Sequence, residues 1–80
     1  MLRFTRHARN RMRLFRIREE EVTRTWTDPD ASSREGHLVR RIRRFPGRFG
    51  GKPLLIVVDP TRHAPTVVTA YPLKHGWAGR

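Results

Sequence analysis

Leu54-Leu55-Ile56-Val57-Val58 is the longest apolar run in the chain, and it constrains the fold more than any other segment. A run that is apolar at both odd and even positions has no solvent face as a strand. It therefore marks a central strand with neighbours and cover on both sides. It is far too short for a membrane span, which needs roughly 20 apolar residues. The chain has 80 residues, enough for one domain (residues 1–80) and no more. A domain of this size buries only about 60% of the surface its unfolded chain exposes, so the core around that strand is thin.

The cover comes from the N-terminal half. Thr5 is placed to cap a helix running to about Arg16. Phe4, Ala8, Met12 and Phe15 follow a 4-4-3 spacing and form one apolar stripe. His7 and Arg11, four apart, lie together on one flank of that stripe. A second helix is expected from Arg18 to about Thr27, with Glu19, Glu20 and Glu21 at its positive end. Val22 and Trp26 are its inward pair, and Asp28-Pro29-Asp30 stops it.

Beyond Ala31 the period changes to that of strands. His37 to Phe45 alternates, with a short additional strand open near Ser32 to Glu35. Pro46 to Lys52 is a glycine-rich turn that forms a mobile hairpin tip with basic residues, and Asp59-Pro60 to Pro65 is a second turn. Thr66 to Tyr71 is a β-branched strand. Pro72 to Arg80 is a tail that Trp77 could pin. The fold class is therefore α+β. Two N-terminal helices pack on one face of a three- to four-stranded antiparallel sheet.

The charge points to a partner. The net charge is +11, from sixteen arginines and two lysines against seven acidic residues. Seven of those arginines fall between Arg3 and Arg18, and seven basic residues fall between Arg34 and Lys52. Self-repulsion at this level destabilises a compact state unless a polyanion compensates it. Arginine's planar fork matches phosphate oxygens bidentately, which suits nucleic acid. The absence of cysteine removes disulfides and thiolate metal sites and fits a reducing, cytoplasmic setting. Arginines interrupt every apolar stretch of the first fifteen residues, so no signal peptide is read there.

Most enzyme classes find no motif. The loop Gly47-Arg48-Phe49-Gly50-Gly51-Lys52 is not a phosphate-binding P-loop. Its glycine spacing is one residue short, Pro53 stands where Ser or Thr belongs, and a strand follows. The four histidines lack metal-ligand spacing, so neither metal nor cofactor is expected. Ser32 and Ser33 have no His and acid arrangement. What remains is a basic site. His7 and Arg11 share a helix flank, Thr69 and Tyr71 share a strand face, and Arg40, Arg41 and Arg43 supply charge on another strand. Metal-free RNA cleavage needs a group to take the 2′-hydroxyl proton, a group to protonate the leaving oxygen, and cations on the phosphate. His, Tyr and Arg fill those roles. An ordinary strand tyrosine, a helix-flank histidine and a snorkelling arginine would give the same pattern.

The order of short motifs resembles a family. His7-Ala8-Arg9-Asn10-Arg11-Met12, Ile17 with Val22, Asp28-Pro29, and Thr69-Ala70-Tyr71 resemble a small bacterial and phage family described as a domain of unknown function. The resemblance covers residues 4 to 72. The family is similar to BrnT and RelE-type toxins of the barnase, EndoU, colicin and RelE ribonuclease superfold. The resemblance implies helices on an antiparallel sheet and an RNA-facing site at His7, Arg11, Thr69 and Tyr71. It further implies an acidic antitoxin-like partner, and it leaves ribosome association open. Arg18 departs from the pattern, standing where a good helix-capping residue is usual.

The sequence thus leads to an expectation of a toxin-like, metal-independent endoribonuclease of the cytoplasm. His7, Tyr71 and Arg11 would be its catalytic residues, and Arg40, Arg41, Arg43 and Thr69 its RNA contacts. A non-catalytic nucleic-acid-binding or phage accessory protein is the alternative.

Overall fold

The computed structural model describes residues 2–74; the expected tail and Trp77 lie outside them. The elements are β1 (Arg3–Phe4), α1 (Arg6–Phe15), α2 (Glu19–Thr27), β2 (Ala31–Glu35), β3 (Leu38–Arg43), a 3₁₀ turn (Phe49–Gly51), β4 (Leu54–Asp59) and β5 (Thr66–Pro72). The strands form one sheet in the order β1-β5-β4-β3-β2. The apolar run is β4, the middle strand. Its residues Leu54, Leu55, Ile56 and Val58 are fully buried.

Both helices pack on one face of that sheet. Ala8 and Met12 of α1 and Val22 of α2 share a core with Leu54, Ile56, Val58, Val67 and Ala70. Fully burying each large aliphatic side chain there contributes roughly 1.5–3 kcal/mol. Helix α1 lies along β5, and α2 crosses β4 and β3.

The sheet differs from expectation in strand number and direction. It has five strands, and β1 runs parallel to β5 while the other pairs are antiparallel. Two residues are too short for any periodicity, so β1 leaves no sequence signal. It is defined by its partners: Arg3 N–H donates to Pro65 O at 2.9 Å and Thr5 N–H to Val67 O at 3.0 Å. The strand left open near Ser32 is present as β2. It joins β3 through a tight turn where Gly36 adopts φ +63°, a conformation glycine reaches without steric penalty.

The helix faces also shift. Thr5 caps α1 as expected, accepting from Ala8 N–H at 3.1 Å. Phe15, however, is 36% exposed. Arg16 turns into the left-handed region (φ 56°), and Ile17 N–H returns to Met12 O at 2.8 Å. This closing turn drives Ile17 into the core place expected for Phe15. On α2, Val22 and Thr25 are buried while Trp26 is only half-buried. Thr25 is accommodated because its hydroxyl donates to Glu21 O at 2.8 Å.

Arg18 offers α2 no side-chain cap. Glu21 supplies one instead, its Oε1 accepting from Arg18 N–H at 2.9 Å. The same carboxylate is 7% exposed and receives Arg48 Nε at 2.6 Å and Nη2 at 2.9 Å. Arg48 Nη2 also donates to Arg16 O at 2.7 Å. One guanidinium thus ties the glycine-rich loop to the junction of the two helices, so this segment is fastened where a free hairpin tip was expected.

Candidate functional site

The site is made by a defect in β5. Opposite β4 the register runs Val57–Thr69 but Val58–Val67, so Val68 is an extra, bulged residue. Val67 and Ala70 therefore both face the helices, and Thr69 and Tyr71 turn to the other face beside Val57 and Leu55. Bulges re-aim side chains in this way. The bulge is fastened to α1, because the Thr5 hydroxyl donates to Val68 O at 3.2 Å. The residue that caps the helix also fixes the irregular strand beside it.

Helix α1 lies at the β5 edge, and its flank residues reach round to the re-aimed side chains. His7 Nε2 and Thr69 Oγ1 are hydrogen-bonded at 3.2 Å across 62 positions of sequence. His7, Arg11, Thr69 and Tyr71 all line one groove of about 910 Å³. Its remaining wall comes from Phe15, from Phe49, Gly50 and Lys52 of the fastened loop, and from Pro72 to Lys74. The sequence signal missed Lys52, Lys74 and the two aromatic residues as parts of this site. Lys52 and Phe49 were visible only as members of a turn.

The electrostatics are one-sided. Among the described residues no carboxylate lines the groove. Glu19, Glu20, Glu21, Asp28, Glu35 and Asp59 each pair with a basic side chain elsewhere, and Asp30 accepts from Arg44 N–H. Arg11, Lys52 and Lys74 form no ion pair with any described residue. Three cations unpaired among the described residues, with an imidazole, give this concavity a potential that attracts anions. The perturbed carboxylates lie away from it. Glu21 is held below the ordinary range chiefly by the Arg48 hydrogen bonds. Asp59 is lowered chiefly by the Thr61 hydroxyl, and His37 Nε2 stands 3.7 Å from its Oδ2.

The arginines of β3 are divided between the two faces. Arg40 is in register with Val57, and so shares the face of Thr69 and Tyr71; it also lies 4.0 Å from Glu35. Arg41 and Arg43 are in register with Ile56 and Leu54 and point toward the helices. Arg41 stacks over the Trp26 ring at 4.1 Å, and its Nη1 donates to Trp26 O. Arg43 Nη1 donates to Asp28 O at 2.6 Å, and its buried Nε has no partner among the described residues. The structure therefore brings together His7, Arg11, Thr69 and Tyr71, with Arg40 outside the groove lining but on the same sheet face as Thr69 and Tyr71. It does not bring Arg41 and Arg43, which hold the C-terminus of α2.

Among the described residues there is no group of three or more His, Cys, Asp or Glu side chains placed to hold a metal ion, and no helix long and apolar enough to cross a membrane. No curated protein and no solved structure matches the chain. A family model described as "Domain of unknown function (DUF4258)" matches residues 4–72, and the protein belongs to that family.

Proposed function

We propose that the protein is a toxin-like endoribonuclease that binds RNA in the His7 groove, cleaves it without a metal, and is neutralised by an acidic antitoxin-like protein. One observation carries the reading. Residues from opposite ends of the chain, His7 and Arg11 with Thr69 and Tyr71, converge in a groove that, among the described residues, holds three cations without ion-pair partners and no carboxylate.

The chemistry follows from those groups. A general base takes the proton of the ribose 2′-hydroxyl, whose oxygen attacks the adjacent phosphorus. The P–O5′ bond breaks, and a general acid protonates the departing oxygen, leaving a 2′,3′-cyclic phosphate and a free 5′-hydroxyl. An imidazole can accept and donate a proton, and Tyr71 is the second O–H in reach of the groove. Thr69 holds the His7 ring at 3.2 Å and so sets its direction. Arg11, Lys52 and Lys74 oppose the charge that builds on the phosphate oxygens. The excess of basic over acidic residues also suits an acidic protein as the natural inhibitor.

A binding module that cuts nothing is the second reading. The observation favouring it is that Arg3, Arg6 and Arg13 also lack ion-pair partners among the described residues and lie outside the groove. Incubating purified protein with total RNA in excess chelator separates the two. Cleavage is expected, and His7→Ala or Tyr71→Phe should slow it by roughly 10²–10⁴-fold with the thermal midpoint unchanged. Intact RNA with wild-type protein under all conditions leaves the binding module.

A further inference from the structure

Resting on the RNA reading of the groove, we infer that Phe49 is a stacking platform for an unpaired nucleobase, so that the substrate is single-stranded RNA with its bases turned into the groove.

The backbone at Phe49 is strained. Phe49 has φ 55°, in the left-handed region, inside a loop whose Gly47, Gly50 and Gly51 also have positive φ. Glycine adopts that conformation freely, but a bulky aromatic residue does so only when its surroundings impose it. Such residues concentrate at ligand sites. The surroundings here are explicit. Arg48 is anchored on buried Glu21 and on Arg16 O, and Lys52 N–H closes the turn on Phe49 O at 3.1 Å.

The ring itself is prepared on two sides. The Arg48 guanidinium lies over it at 4.6 Å, and the Phe45 ring stands perpendicular to it, with centroids 6.2 Å apart and an interplanar angle of 87°. Phe49 also lines the groove, with His7, Arg11 and Lys52. It packs against the hydrophobic core as well, but an aliphatic residue would make that contact equally well, and a glycine at this position would close the loop without strain. A rigid aromatic surface beside three cations matches how proteins hold single strands. Cations track the phosphates, and aromatic rings stack the bases. Arg48 is then a positioning residue, setting the ring through its ties to Glu21 and Arg16.

The test measures binding by the full chain and requires no cleavage. Three labelled probes are compared: a short single-stranded oligoribonucleotide, the same strand with abasic riboses, and the duplex of the same sequence. Wild-type protein is expected to favour the base-bearing single strand over the other two. Phe49→Gly should lose roughly 5- to 150-fold affinity for that strand, from about 1–3 kcal/mol per stacked base, and little for the abasic one. Phe49→Leu keeps apolar volume in the core contact and should show the same selective loss in a folded protein. Retained preference for the base-bearing strand in both variants overturns the inference. If wild type binds all three probes equally with steep salt dependence, the platform is refuted while the phosphate groove stands. If it binds none, the RNA reading fails with it.

Discussion

For Arg41, as for Arg43, sequence and structure assign different jobs, and Arg41→Ala separates them. As a phosphate ligand its loss would lower RNA affinity and leave the fold alone. As placed, its guanidinium donates to Trp26 O in the last turn of α2 and lies 4.1 Å over the indole ring. A hydrogen bond involving a charged group contributes about 1.5–3 kcal/mol, and a cation–π contact about 0.5–2 kcal/mol. Placement of a cation at a helix C-terminus adds about 0.3–1 kcal/mol. These terms overlap, so roughly 2–4 kcal/mol is the expected loss. In a domain of this size each kcal/mol moves the thermal midpoint by about 4–8 °C, which puts the shift at about 8 °C or more. The assay is thermal unfolding followed by circular dichroism, alongside RNA affinity measured across a salt series below the unfolding transition. The salt slope should stay at its wild-type value. Arg40→Ala, on the groove-side face, should leave the midpoint nearly unchanged and flatten the slope by up to about 0.7, the loss of one single-strand phosphate contact. An Arg41→Ala protein with an unchanged midpoint and a flattened slope would refute the structural assignment.

Met12→Ala should cost roughly 2–5 kcal/mol, because Met12 is 6% exposed in the shared core; chemical denaturation reads this as a lower midpoint at constant slope. Phe15→Ala, on the exposed side of the same helix, should change stability far less. For Glu21 the folded-state pKa is depressed, so its contribution is fully present above the unfolded value, near roughly 4.3, and is lost as pH falls through the folded value. Thermal midpoints should therefore drop in acid for wild type and drop less for Glu21→Gln. The remaining slope reflects Asp59, which is lowered in the same sense. An acid profile unaltered by Glu21→Gln would mean the Arg48 pair contributes nothing to pH-dependent stability.

Local pattern carried a good part of this protein. Leu54 to Val58 announces the middle strand because only a strand covered on both faces tolerates five apolar residues in succession. Thr5 announces the start of α1 because its hydroxyl suits an unpaired helix N–H, and Ala8 with Met12 announces the buried face through helical spacing. The pairings of His7 with Arg11 and of Thr69 with Tyr71 are likewise properties of helix and strand periods. Periodicity says which residues share a face, but not which way that face looks. The bulge at Val68 decides that Thr69 and Tyr71 turn away from the core, and Thr5, far away in sequence, fastens it by donating to the Val68 carbonyl. The same ambiguity hid the division of β3, where Arg41 and Arg43 face α2 and Arg40 does not. Left-handed Arg16 and Phe49 are set by closure of the helix junction and by the Arg48–Glu21 tie, neither of which has a local sequence signal. The groove joins a helix near one end of the chain to a strand near the other, so only the packing of α1 along β5 could assemble it.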